Sequence, residues 1–118
     1  MNLLMTKDKA LRFTNALPLY QYDSLLNPLR TLVPIVVDDA DLTDYSVKLE
    51  YILPDETVVE KDLIRAEENY NDDYFAFFVD LNDDVTALPG NVIFRLKFTN
   101  GTGTKQFITQ ATHLSVQS

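Results

Sequence analysis

The stretch that decides the fold is Asn91–Val116, NVIFRLKFTNGTGTKQFITQATHLSV. Within it, residues 92–98 alternate strictly between Val, Phe or Leu on one side of an extended chain and Ile, Arg or Lys on the other. This period of two predicts a strand with one buried face. The segment Thr99–Thr104 contains Asn and two glycines, residues that accept positive φ, and therefore predicts a chain reversal. A second extended run, Lys105–Val116, completes a hairpin whose apolar face needs partners from the rest of the chain.

The length and composition indicate one globular domain. The chain has 118 residues, of which 46% are hydrophobic, and its seven Phe and six Tyr can fill a compact core. It contains no cysteine, so no disulfide can stabilise it and a core or an assembly interface must do so. The net charge of −8 argues against a nucleic acid or an anionic membrane as partner. The N-terminus shows no signal-peptide apolar region, so we expect synthesis in the cytoplasm without a secretion signal.

Upstream signals predict several shorter strands. Ser46–Ile52 alternates and returns as residues 58–64 after the turn Pro54–Thr57, which makes a second hairpin. Tyr74–Leu81 is the most apolar strand, and the segment from Asn82 to Gly90 predicts a single helical turn or a tight loop. Arg30–Val37 contains Pro34, which predicts an edge strand or a bulged one. The pattern predicts an all-β fold, an antiparallel β-sandwich of immunoglobulin-like size with about seven strands, over residues 31–118.

Residues 1–30 differ from the predicted sandwich in their pattern of apolar residues. Their apolar residues follow no sustained period, and Pro18 and Pro28 interrupt any helix. We expect an N-terminal extended arm, which is too apolar to be a solvated tail. It either folds back on its own sandwich or lies on a neighbouring subunit.

Catalysis finds little support in the sequence. The single histidine, His113, stands in a strand, and no serine lies in a Gly-x-Ser-x-Gly turn. The carboxylates gather in turns rather than on apolar strands, where burial would raise the pKa of a catalytic acid. We therefore predict no catalytic residue, no cofactor and no enzymatic activity.

Two binding chemistries stay open. Acidic clusters occur at residues 38–44, 71–73 and 82–84, and their oxygens suit either turn formation or a calcium ion. Tyrosines near strand ends could stack on a sugar ring or form the rim of an interface. They are Tyr20, Tyr22, Tyr45, Tyr70 and Tyr74.

From Leu32 onward, the order of signals resembles the N-terminal domain of upper baseplate and tail-fibre proteins of phages that infect Gram-positive bacteria. The matching motifs are an apolar strand, an acidic turn, a strand, a polar hairpin turn, an apolar strand, a Pro-Gly turn and two final strands. In this chain they are Val33–Val37, Asp41-Leu42-Thr43, Val47–Leu53, Pro54-Asp55-Glu56-Thr57, Tyr74–Leu81, Leu88-Pro89-Gly90, Val92–Phe98 and Thr109–Val116. Glu56 stands where the family usually has Gly, which suggests a different turn type. The family domain usually precedes further domains, whereas this chain stops after the sandwich.

The resemblance implies a non-enzymatic virion protein that docks or decorates a tail, baseplate, fibre or head. It implies other virion proteins as partners, usually within a homo-oligomer, and carries over no catalytic residue. A carbohydrate-binding module for a host surface glycan is the alternative. The arm and the strand near Pro34 then become candidate contact surfaces, because edge strands and apolar segments order on binding. Their interface residues are Leu3, Leu4, Leu11, Phe13, Leu17, Leu19, Tyr20, Tyr22, Val33 and Ile35.

Overall fold

The structure, a computed structural model, describes residues 1–14 and 18–118 and confirms the all-β prediction. Its strands in chain order are β1 Asn2–Met5, β2 Leu11–Thr14, β3 Leu19–Tyr20, β4 Leu29–Pro34, β5 Val36–Val37, β6 Ala40–Asp41, β7 Ser46–Ile52, β8 Val58–Asp62, β9 Ile64–Arg65, β10 Tyr74–Val79, β11 Gly90–Thr99, β12 Gln106–Ile108 and β13 Thr112–Gln117. The predicted helical turn is a 3-10 helix over Asp83–Thr86. Within the described residues, no helix is long and apolar enough to cross a membrane.

Two sheets face each other across the core. The first has the order β2-β1-β4-β10-β9 and the second the order β3-β13-β11-β7-β8, with β12 added beside β11. Alternate residues of the central strands are buried, as their period of two predicts. Phe13 of the first sheet meets Phe94 of the second edge to face, with ring centroids 5.1 Å apart.

Most strand pairs are antiparallel, as predicted, but the two large sheets are mixed. β1 runs parallel to β4, and β3 runs parallel to β13. Parallel neighbours need a crossover connection, and these pairings join strands that are distant in sequence. The described residues form more than the predicted seven strands, because the N-terminal segment adds β1, β2 and β3, a bulge divides β12 from β13, and short strands such as β9 extend an edge.

The N-terminal residues belong to the first sheet. β1 pairs with β2 on one side and with β4 on the other, and Leu3 and Met5 are fully buried. The prediction that the strand around Pro34 is an edge is therefore wrong. β1 pairs only with residues 30–32, so Pro34 lies beyond the end of that ladder. The missing backbone N–H of Pro34 therefore costs no hydrogen bond to β1.

A bulge divides the predicted second arm of the last hairpin into β12 and β13. Ile108 faces Lys97 and Thr112 faces Phe94, so the register shifts by one residue between the two strands. Thr109, between β12 and β13, keeps the bulge bonded to β11, since its hydroxyl accepts the Leu96 N–H at 3.0 Å. The extra residue explains why Phe107 and Leu114, of opposite parity, both face the core.

The turn after β7 keeps the backbone conformation that glycine favours, although residue 56 is Glu. Glu56 has φ +71° and donates its N–H to the Leu53 carbonyl at 2.8 Å. The expectation of a turn type that differs from the family's stays a prediction. The left-handed conformation is unfavourable for a residue with a Cβ.

Glu56→Gly should therefore raise the free energy of unfolding by about 0.5–1 kcal/mol, after the larger chain entropy of glycine is subtracted. The matched control is Glu68→Gly, an exposed position without positive φ, which should lower it by a similar amount or leave it unchanged. Urea unfolding of both variants measures the difference. A loss of stability in Glu56→Gly would contradict the left-handed turn.

Thr31 is a polar residue in the core. It is fully buried on β4, in register with Leu3 and Phe77, and its hydroxyl has no hydrogen-bond partner among the described residues.

Thr31→Val should stabilise the fold by about 1 kcal/mol, because valine has the same shape without the unpaired hydroxyl. Thr86→Val is the control of opposite sign, since the buried Thr86 hydroxyl donates to the Asp23 carbonyl. Thermal unfolding of the two variants in parallel would show the opposite shifts.

Candidate functional site

The predicted interface residues fall into two groups in the structure, those buried in the protein's own core and those exposed at its surface. Leu3, Leu11, Leu19 and Val33 lie in the protein's own core. Leu4, Phe13 and Ile35 are partly buried, and Leu17 falls outside the described residues. Tyr20 and Tyr22 are exposed, so they are the members of the set that the surface presents.

The loop that carries these tyrosines follows β3 and is anchored on the 3-10 helix. Tyr22 donates its backbone N–H to the Thr86 carbonyl at 2.9 Å, and the Gln21 side chain donates to the Ala87 carbonyl at 3.0 Å. Asp23 closes the turn, because its N–H donates to the Tyr20 carbonyl at 3.0 Å. These bonds bring residues 20–28 and 86–88 together at one end of the molecule.

This end displays large apolar side chains. We call it the apolar end and define it by Tyr20, Tyr22, Leu26 and Leu88. They are exposed by 54%, 78%, 89% and 37% respectively. Isolated exposed apolar residues are ordinary, but several in adjoining loops mark an interaction surface.

Two depressions adjoin the exposed side chains. The larger, about 250 Å³, is lined mainly by apolar groups: Met1, Leu19, Ser24, Leu25, Leu26, Asn27, Pro28, Leu29 and Leu81. The smaller, about 120 Å³, is lined by Pro28, Ile64, Phe78, Val79 and Asp80. Pro28 belongs to both, so the apolar end continues onto the outer face of the first sheet. Such a surface can receive one or two side chains of a partner.

Two contacts tie β7 and the turn after it to the segment between β10 and β11. The Tyr51 hydroxyl donates to Asp84 at 2.9 Å, and a Cβ added at Gly90 would lie 3.3 Å from Pro54. Burial, together with the bond to Asp84, raises the pKa of Tyr51 well above its usual value of 10. Tyr51 therefore anchors the 3-10 helix on the second sheet, and Pro54 adjoins the start of β11.

The acidic clusters are engaged in their own turns. Asp41 accepts the Thr43 N–H and hydroxyl, and Asn71 accepts the Asp73 N–H at 2.8 Å. The bonds from Thr43 lower the pKa of the Asp41 carboxyl. Asp38 and Asp39 form the two-residue turn between β5 and β6, both with positive φ. Within the described residues, no three His, Cys, Asp or Glu side chains are grouped to hold a metal ion.

The remaining candidates lie apart from one another. His113 is exposed on β13, opposite Ile93. Tyr70 stacks on Arg30 at 5.1 Å on the outer face of the first sheet. Tyr45 packs against Phe107 with ring centroids 6.0 Å apart. Tyr70 and Tyr45 thus have packing partners of their own, whereas Tyr20 and Tyr22 share one loop.

Leu26 was not among the predicted interface residues, although it is the most exposed large apolar side chain among those described. The sequence signal for it was weak. Leu25-Leu26 precedes Asn27-Pro28 without any apolar period, and a Leu pair beside a turn is as typical of a core. Leu26 lies in the connection between β3 of one sheet and β4 of the other, and its exposure is evident only in the structure.

The fold is similar to that of a phage protein domain. The N-terminal domain of phage TP901-1 ORF48 matches with a TM-score of 0.53 and 12% sequence identity, and the match covers 99% of this chain and 95% of that one. No protein-family model and no curated protein matches the sequence. The likeness therefore concerns the fold, including the N-terminal strands.

Proposed function

We propose that this chain is a non-enzymatic structural protein of a phage virion, a docking or adaptor β-sandwich that attaches within a tail, baseplate, fibre or head. The observation that carries the proposal is the fold likeness to a phage protein's N-terminal domain over 99% of the chain. The exposed apolar end supports a docking role, because an interface buries such side chains. The partners would be other virion proteins, and several copies would form a homo-oligomer.

The apolar end favours a protein partner over a glycan. Sugar recognition uses aromatic stacking with a few polar groups, and Tyr20 and Tyr22 supply the aromatic part. Leu26 and Leu88 give no hydrogen bond to a sugar, and the adjoining depression is lined mainly by aliphatic groups. Aliphatic and aromatic side chains side by side are typical of protein interfaces.

Particle association tests the proposal. Particles of the phage that encodes the chain would be purified through a density gradient and probed by mass spectrometry and immunogold labelling. We expect the chain to stay with the particles in constant ratio to the major virion proteins. Recovery only in the soluble lysate fraction, together with an abundant cytoplasmic control protein, would overturn the virion assignment.

Light scattering with and without a chelator tests the oligomer and the calcium alternative together. We expect a multiple of 13.5 kDa that does not change in chelator. Dissociation in chelator would instead indicate that an acidic turn binds an ion that the assembly needs. A monomer in both conditions would contradict a homo-oligomer held by this chain alone.

A further inference from the structure

We propose that the apolar end receives a basic protein surface with apolar anchor residues, and not a second copy of this chain. This inference rests on the proposed docking function and specifies the chemistry of its partner. It is carried by two independent features of the apolar end, its excess of carboxylates and the conformation of Tyr22.

The charge around the apolar end is mainly negative. Segments 18–29 and 79–90 build this end, and they contain no Lys or Arg. Their carboxylates are Asp23, Asp80, Asp83 and Asp84. Over the residues described, every ion pair involves other carboxylates: Asp38, Glu50, Glu60 and Asp62. Lys61 adds a positive charge at this end, where its ammonium donates to the Asp80 carbonyl and the Asn82 amide oxygen, so the carboxylates remain in excess.

The negative charge of the apolar end favours some classes of protein partner over others. A symmetric contact with a second copy would bring the same carboxylates face to face, and like charges across an interface oppose association. A basic partner would pair with these carboxylates and would also be attracted from a distance by the net charge of −8. Charge complementarity therefore favours a different, basic protein.

Tyr22 has an unfavourable backbone conformation that the core does not require. It has φ +70° at the third position of its turn, where glycine or asparagine is preferred. Its side chain is directed to solvent and adds little to the packing of the domain. A bulky residue in such a conformation motivates a functional hypothesis, and exposed tyrosines are frequent anchors of interfaces. We infer that Tyr22 is one anchor at the apolar end and Leu26 another.

The test uses the full chain and three synthetic peptides of eight residues. One alternates leucine with lysine, one leucine with glutamate and one serine with lysine. Binding is measured by titration, and the contacted residues are mapped from amide chemical shifts. We expect the leucine–lysine peptide to bind at least about tenfold more tightly than either other peptide, because only it combines apolar anchors with positive charge. The shifted amides should lie in residues 20–28 and 80–88.

Variants then distinguish the contribution of the anchor residues to binding from the contribution of the carboxylates. Tyr22→Gly should weaken binding about fivefold or more while the unfolding midpoint stays the same or rises, because the turn loses its strain. Asp80→Asn combined with Asp83→Asn should weaken binding and reduce its dependence on salt between about 50 and 500 mM. Asp39→Asn, in the turn between β5 and β6, is the matched control and should change neither.

Three results would overturn the inference. They are equal binding of the serine–lysine peptide, shifts centred on residues 38–44, and Tyr22→Gly binding like the wild type. A concentration-dependent dimer that buries residues 20–28 would also overturn it, in favour of self-association. Particle association without peptide binding at this end would leave the virion proposal standing and refute the partner chemistry alone. Peptide binding without particle association would do the reverse.

Discussion

Phe94→Ala is expected to lower the free energy of unfolding by about 3–5 kcal/mol, a large part of the stability of a domain of this size. Phe94 is fully buried in β11 and lies at the centre of an aromatic cluster. Its ring centroid is 5.1 Å from that of Phe13 and 5.6 Å from that of Tyr51, so truncation removes contacts to both sheets. The cavity it leaves is enclosed by strands that cannot easily close over it.

The neighbouring residue supplies the control. Ile93 points to the outer face of the second sheet and is 39% exposed. Ile93→Ala should cost less than about 1 kcal/mol in the same denaturant titration, since Ile93 is only partly buried and leaves no enclosed cavity. Equal costs at positions 93 and 94 would show that the two faces of β11 are not assigned correctly.

Leu3→Ala should cost about 2–5 kcal/mol, although it lies at the N-terminal end of the chain. Leu3 is fully buried in β1, between β2 and β4. Leu4→Ala is the control, because Leu4 points to the other face of the same strand and is only partly buried. It should cost less than about 1 kcal/mol.

Removal of residues 1–14 extends this prediction. The truncated chain would lose two strands of the first sheet and leave one side of β4 unpaired. We expect it to lose cooperative thermal unfolding, as judged by calorimetry and near-ultraviolet circular dichroism. A truncated protein that unfolds with the original midpoint would show instead that these residues are an arm independent of the domain.

Local patterns predicted the local structure well. The alternation in residues 46–52, 74–79 and 92–98 identifies three central strands and their buried faces, because burial of one sheet face imposes a period of two. The turn residues of 99–104 identify a reversal, and Asn100 does accept the N–H groups of Thr104 and Lys105. These features depend on neighbours in the sequence.

The errors concern pairing between distant segments. Pro34 suggested an edge strand, but the strand is central because the first residues of the chain pair beside it. The bulge at Thr109 depends on how β11 meets two separate strands, which no local period records. For the same reason the exposure of Leu26 and the left-handed conformation of Tyr22 could be found only from the structure.

The parallel pairing of β3 with β13 sets an order of events during synthesis. Leu19 and Tyr20 find their partners only in Val116 and Gln117, almost a full chain length later. The loop that carries Tyr22 therefore has no scaffold on one side until the last strand has left the ribosome and joined its sheet. A nascent or C-terminally shortened chain would present the tyrosines without their fixed geometry, which amide exchange of a chain ending at residue 111 would reveal. Under the proposed docking function, a chain that has not yet formed β13 would not bind its partner, so docking would wait for the pairing of β3 with β13.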